Sequence, residues 1–198
     1  MRLLLLILLA GLLTPIAGPA AEAAEPPQDC FWTSVFDEEN ANLFYPDTGV
    51  NYYLGRVLVL RGRLPNVPET YGGERVFTRG QLRYWSMCSV SMQPYGVTDT
   101  IGCVNDSRLV TNREGWYTLV VSTPQDRPAN ALRRCGVTWL PFGIRPTAAL
   151  VMRNQLADPD FAHSVQRVRR PGTEREVMGD FLPGGHYTGT RAFQRQGC

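Results

Sequence analysis

The 198 residues carry 20 basic and 18 acidic side chains, and they include 19 Gly and 15 Pro. So small a net charge argues against a nucleic-acid groove, and that much Gly and Pro favours short elements joined by turns over long helices. Every basic residue is Arg, which excludes chemistry that needs a lysine amine: Schiff bases, the P-loop lysine and Ser-x-x-Lys catalysis.

Residues 1–23 open with Arg2, run through Leu3 to Leu9 without a polar side chain, and close on Ala21-Glu22-Ala23. The apolar stretch falls well short of the ~20 residues a membrane-spanning helix needs, and a small-x-small cleavage pattern follows it. The expectation is a cleaved export signal. Removing the first 23 of 198 residues leaves 175, with no transmembrane segment and a secreted or periplasmic location. A chain of that size can bury about 70% of its unfolded surface without a metal.

Residues 24–51 read as an N-terminal extension with a short helix over 33–44, where Asp37, Glu38 and Glu39 suit the positive end of the helix dipole. Tyr45 to Gly49 reads as a turn. Residues 56–62 form a compact β-branched run. Leu82, Tyr84, Ser86, Cys88 and Val90 then alternate with Arg83, Trp85, Met87 and Ser89, the period of a strand. Residues 116–122 have the highest β-propensity in the chain and predict a central strand. Two further apolar runs occupy 137–142 and 147–153. One helix is expected near the end, with Asp158 as cap, Pro159 in the first helical position and Phe161, Val165 and Val168 on one stripe. No repeat or linker divides the chain. Residues 52–198 are therefore read as a single all-β domain, mainly antiparallel, a β-sandwich or jelly roll with one or two short helices.

Five cysteines in an exported chain point to disulfides, and the odd count leaves one over. Cys88 and Cys103 pair best, because Pro94, Gly96 and Gly102 between them allow a hairpin. A Cys30–Cys198 bridge would fasten the two ends of the domain, leaving Cys135 to link one copy to another in a homo-oligomer. Pro27-Gln28-Asp29 before Cys30 is no lipobox.

Arg83-Tyr84-Trp85-Ser86, then Tyr117-Thr118-Leu119-Val120-Val121, then Trp139-Leu140-Pro141 followed by Leu150-Val151-Met152-Arg153 form an ordered series. In that order they resemble the C-terminal domain of a family of uncharacterised exported bacterial proteins, a domain of unknown function on a jelly-roll-like sandwich. The resemblance implies a fold and an exported location, and it brings no activity or catalytic residue. Cys88, Cys103 and Cys135 depart from the family pattern.

The candidate chemistry is sparse. His163 is expected on the solvent side of its helix, and His186 in a loop after Gly184-Gly185. There is no Gly-x-Ser-x-Gly elbow and no His-Glu-x-x-His motif, so no catalytic residue is assigned. Asp158, Asp160 and His163 could gather round a cation or simply cap a helix; no metal or cofactor is assigned. Arg133, Arg134, Arg167, Arg169 and Arg170 could hold an oxyanion or form a solvated face, with Glu174 and Glu176 interleaved against any nucleic-acid role. The aromatic candidates are stronger. Arg83 and Trp85 share one face of a strand and, with Trp139 and Arg153, would line a small-ligand pocket in which Arg anchors an anion and the indoles form the apolar wall. Alternatively the tryptophans fill the core. The leading functional reading is a non-enzymatic module of the cell envelope that binds a small ligand or envelope component. Its rivals are an envelope glycan or ester hydrolase using His186 or His163, and a structural subunit linked through Cys135.

Overall fold

Alternation along the chain assigns each strand an inner and an outer face, and in the computed structural model the result is two four-stranded sheets. The structure describes residues 32, 48–68, 72–74, 80–92, 98–145 and 147–198. The export segment, the helix expected over 33–44 and Cys30 lie outside the described residues. Strands β1 (Thr48–Asn51), β7 (Thr147–Gln155), β3 (Tyr84–Met92) and β4 (Thr98–Asn105) form one sheet in that order, antiparallel throughout. The other runs β6 (Val137–Pro141), β5 (Trp116–Ser122), β2 (Val57–Arg63) and β8 (Gly184–Thr188), antiparallel except for the parallel β5–β6 pair. Two short helices, α1 (Glu174–Met178) and α2 (Thr190–Gln194), follow the last long strand in sequence. The fold is the mainly antiparallel all-β sandwich that the strand patterns predict. Its parallel pair makes "sandwich" the apter of the two expected terms, since a jelly roll is antiparallel throughout.

The core lies between the sheets. Leu58 and Leu60 of β2, Tyr117, Leu119 and Val121 of β5 and Leu140 of β6 belong to one cluster with Trp85 and Met87 of β3, Val104 of β4 and Leu150 and Met152 of β7. Each fully buried side chain of this size contributes roughly 1.5–3 kcal/mol of transfer free energy. Where β4 meets β6 across the sandwich, a Cβ on Gly102 would stand 2.5 Å from Cγ of Pro141, so no larger residue fits there without moving a rigid ring. The outer face of β2, β5 and β6 is apolar as well: Val57, Val59, Val120 and Val137 lie under Phe193 of α2 and Ala131. Burial on both faces explains why β2 and β5 read as unbroken aliphatic runs instead of strict alternation.

Four expectations change. Thr48 and Gly49 are strand, paired with Leu150 and Ala149, and the Trp32 indole N–H donates to the Pro183 carbonyl at 2.7 Å, so the sandwich draws on residues before 52. Residues 158–168 form no α-helix. They make successive three-residue turns, Phe161 N–H to Asp158, Ser164 to Phe161 and Arg167 to Ser164, ending in a 3-10 turn at Val165–Arg167. The Asp158 side chain accepts the Asp160 N–H at 2.8 Å, an Asx turn that competes with helix. His186 sits on β8, paired with Val59, because the edge of β2 is there to receive even a glycine-rich segment.

The fourth change concerns the cysteines. Cys88 and Cys103 face each other across β3 and β4 and are bonded, as the hairpin argument expects. The second bridge, however, joins Cys135 to Cys198, in place of Cys30–Cys198. Cys135 is therefore occupied within the chain and cannot serve as the intermolecular link. Its bridge spans a sequence separation of 63 against 15 for the first, and in the chain-entropy picture these contribute about 4 and about 3 kcal/mol. Non-reducing peptide mapping should recover a Cys135–Cys198 linked peptide; a Cys30–Cys198 peptide in its place would contradict the structure.

Candidate functional site

The residues expected to line one pocket are distributed over three layers. Trp85 points inward from β3, is fully buried, and packs on Tyr117 with ring centroids 5.5 Å apart. It is core. Arg83 precedes β3 and its backbone N–H donates to the Gln155 carbonyl at 3.0 Å. Arg153 lies on the outer face of the β1-β7-β3-β4 sheet, its guanidinium 3.6 Å from Sγ of Cys88. Trp139 lies on the outside of the other sheet, where its indole N–H donates to Ser122 Oγ at 3.0 Å and the Arg127 guanidinium covers its ring at 4.4 Å. The four do not meet, because the intervening sheets separate them.

The other candidates are engaged in turns. His163 is exposed; its Nδ1 lies 2.8 Å from the Val177 carbonyl, and since a carbonyl only accepts, Nδ1 carries the proton. The ring stacks on Phe181 at 5.7 Å. Arg133 and Arg167 donate to the carbonyls of Arg108 and Pro159. Among the described residues no three His, Cys, Asp or Glu side chains gather as a metal site.

A cleft opens at one end of the sandwich, where three connections converge: β1–β2, β5–β6 and β6–β7. It has a volume of about 470 Å³ and is lined by Tyr52, Tyr53, Arg56, Gln125, Asp126 and Ile144, among others. Local chemistry builds each wall. Asn51 Oδ1 accepts the Tyr53 N–H at 2.9 Å and the Asn51 carbonyl accepts Leu54 N–H at 3.0 Å, a tight turn that leaves Tyr53 76% exposed. Opposite, Gly143 takes φ of +84°, a left-handed conformation suited to Gly, and the next residue, Ile144, is 86% exposed.

The floor is polar and internally paired. Arg56 stacks on the Tyr52 ring at 4.2 Å and reaches Asp126 Oδ2 at 3.4 Å. Asp126 also accepts the Thr123 hydroxyl at 3.0 Å, and its own carbonyl accepts that of Thr190 at 3.0 Å. Arg145 lines the rim. Tyr53, Leu54 and Ile144 are three of the four large apolar side chains that stand most exposed among the described residues, and exposed apolar groups rimmed by polar ones mark interaction sites. Sequence patterning does not reveal these residues, because they sit in connections where no hydrophobic period operates. The available signal was an aromatic pair held between Asn51 and Gly55, and an isoleucine between Gly143 and Arg145.

The sequence matches no protein-family model and no curated protein. Among solved structures, the fold is similar to that of an uncharacterized protein from Burkholderia cenocepacia, at 17% identity and a TM-score of 0.41, over 66% of this chain and 32% of that one.

Placement of Trp85 in the core has a direct consequence. Trp85→Ala should lower unfolding free energy by about 3–5 kcal/mol in urea titration; a loss below about 1 kcal/mol, typical of a surface residue, would return Trp85 to a binding role.

Proposed function

We propose that this protein is a non-enzymatic binding module of the cell envelope that holds a saccharide-like ligand in the loop-end cleft. One observation carries the reading: Tyr53 of the β1–β2 connection and Ile144 of the β6–β7 connection stand exposed in one cleft with the Arg56–Asp126 pair. Two apolar posts over a hydrogen-bonding floor suit a ring with apolar faces and a hydroxylated edge. Gln125 and Arg145 would read the edge, while Arg56 and Asp126, already locked by Tyr52 and Thr123, would keep their geometry when the ligand arrives. Binding sites on loops held by a rigid sandwich are the common arrangement.

The location rests on separate support. Two bridges are the chemistry of an oxidising compartment, and no described helix is long and apolar enough to cross a membrane. An exported envelope protein fits both facts and the leader-like residues 1–23.

Titration of the full chain with neutral envelope saccharides, followed by calorimetry, tests the site. Tyr53→Ala and Ile144→Ser should each weaken binding by about tenfold, the effect of losing one buried stacking or apolar contact of ~1.4 kcal/mol, with melting temperature unchanged. Undiminished affinity in both variants would refute the cleft as the binding site.

A further inference from the structure

A second concavity lies on the outer face of the β6-β5-β2-β8 sheet, beyond the part that α2 covers. It holds about 690 Å³ and is lined by Arg61, Trp116, Thr118, Arg175, Gly184 and His186 on the open side, and by the Cys135–Cys198 bridge on the other. Strand register places these residues. Arg61 pairs with Thr118 on one side and Gly184 on the other, so all three face outward in one row. The Arg61 guanidinium lies 5.5 Å from the Trp116 ring.

No Asp or Glu side chain is among the described residues that line this groove, whereas two arginines are. Arg61 is exposed, and among the described residues its guanidinium lies against the Trp116 ring without an ion-pair partner. Arg175 is fixed in place: its Nη1 donates to the carbonyls of Gly179 at 3.2 Å and Leu182, and its Nη2 to Pro183 at 3.2 Å. Three of five N–H donors are thereby used, leaving the Nε–H and one Nη2–H. Nη2 sits 3.9 Å from where a Gly184 Cβ would be, so the absence of a side chain at 184 keeps open the space between Arg61 and Arg175.

We infer that this groove binds an oxyanion, carboxylate or phosphate, carried on a ring that stacks against Trp116. Arg61 supplies a mobile guanidinium and Arg175 a preorganised one, and both present planar donors matched to oxyanion geometry. His186 lies on the same rim and adds a donor. The site is separate from the loop-end cleft and stands or falls independently of it.

The test follows the Trp116 indole N–H by NMR in the disulfide-intact full chain, with the signal assigned through Trp116→Phe. The probes are glucuronate, glucose 6-phosphate and neutral glucose. The expected result is a saturable shift with at least one anionic sugar and none with glucose. A response to glucuronate alone assigns a carboxylate, to the phosphate alone a phosphate, and to both a general oxyanion site. Arg61→Gln should weaken anion binding about tenfold, the worth of one hydrogen bond to a charged group, whereas Arg61→Lys keeps part of it. Gly184→Val should abolish binding, with circular dichroism checking that the sheet is retained. Equal shifts with glucose, no shift with either anion, or unchanged affinity in Arg61→Gln would each overturn the proposal.

Discussion

The constraint on which this structure turns is that β2 and β5 are apolar on both faces. Packing the two sheets together satisfies only the inner one. Val57, Val59 and Val120 would still meet water, and leaving several aliphatic side chains exposed costs roughly 1.5–3 kcal/mol each. The chain after β8 solves this by laying Phe193 of α2 across them. A helix of five residues has no stability of its own. It is held by what it covers, by Asn130 Nδ2 donating to the Phe193 carbonyl at 3.2 Å, and by the Cys135–Cys198 bridge beyond it. The second disulfide is thus the fastening of a lid over an outer core, and the groove exists because that lid stops short of Arg61 and Trp116.

The same edge ties the groove to the inner core. Pro183 accepts hydrogen bonds from the indole of Trp32 and from Arg175, and a Cβ on Gly62 would stand 3.1 Å from it and 2.9 Å from the Tyr117 hydroxyl. Burial pushes the Tyr117 pKa well above the ordinary tyrosine value, opposed in part by the positive charge of Arg175. The hydroxyl therefore stays neutral over any physiological pH, and the guanidinium that its surroundings support projects outward with a fixed orientation. A surface cation held by three backbone carbonyls has lost its rotamer freedom before a ligand arrives, which lowers the entropic cost of binding.

Legibility followed the range of the interactions. β2, β3, β5, β6 and β7 declared themselves through period-2 and aliphatic patterns, because burial acts on each residue within its own strand. The Cys88–Cys103 pairing was readable for the same reason: a hairpin is local. Cys135–Cys198 was not, since which termini meet is decided by how α2 packs. Phe161, Val165 and Val168 share one buried side without forming a helix; chained three-residue turns place residues at this spacing on one side just as a helix does, and periodicity alone cannot separate them. Trp85 shows the limit for sites. Its alternation with Tyr84 indicated that it shares a face with Arg83, yet which face was inner depended on the partner sheet. The site residues that emerged instead sit in turns, where exposure is set by Asn51 and Gly143 and no hydrophobic period operates.

The two concavities differ in charge compensation, and the ligand proposed for each follows from that difference. In the cleft Arg56 meets Asp126; an exposed pair of this kind adds little to stability, between about 0 and 1 kcal/mol, but it cancels the local field and leaves directed hydrogen bonds. Arg145 on the rim is the one further charged side chain among the described lining residues, so shape and hydroxyl geometry would discriminate more than charge. In the groove two guanidiniums and an indole line the opening with no Asp or Glu side chain among the described lining residues. A neutral ring would stack on Trp116 but leave both cations to water, whereas an anion satisfies them and the ring together. That difference follows from where Asp126 lies: on the β5–β6 connection it pairs with Arg56, and β2, β5, β6 and β8 carry no acidic residue beside Arg61.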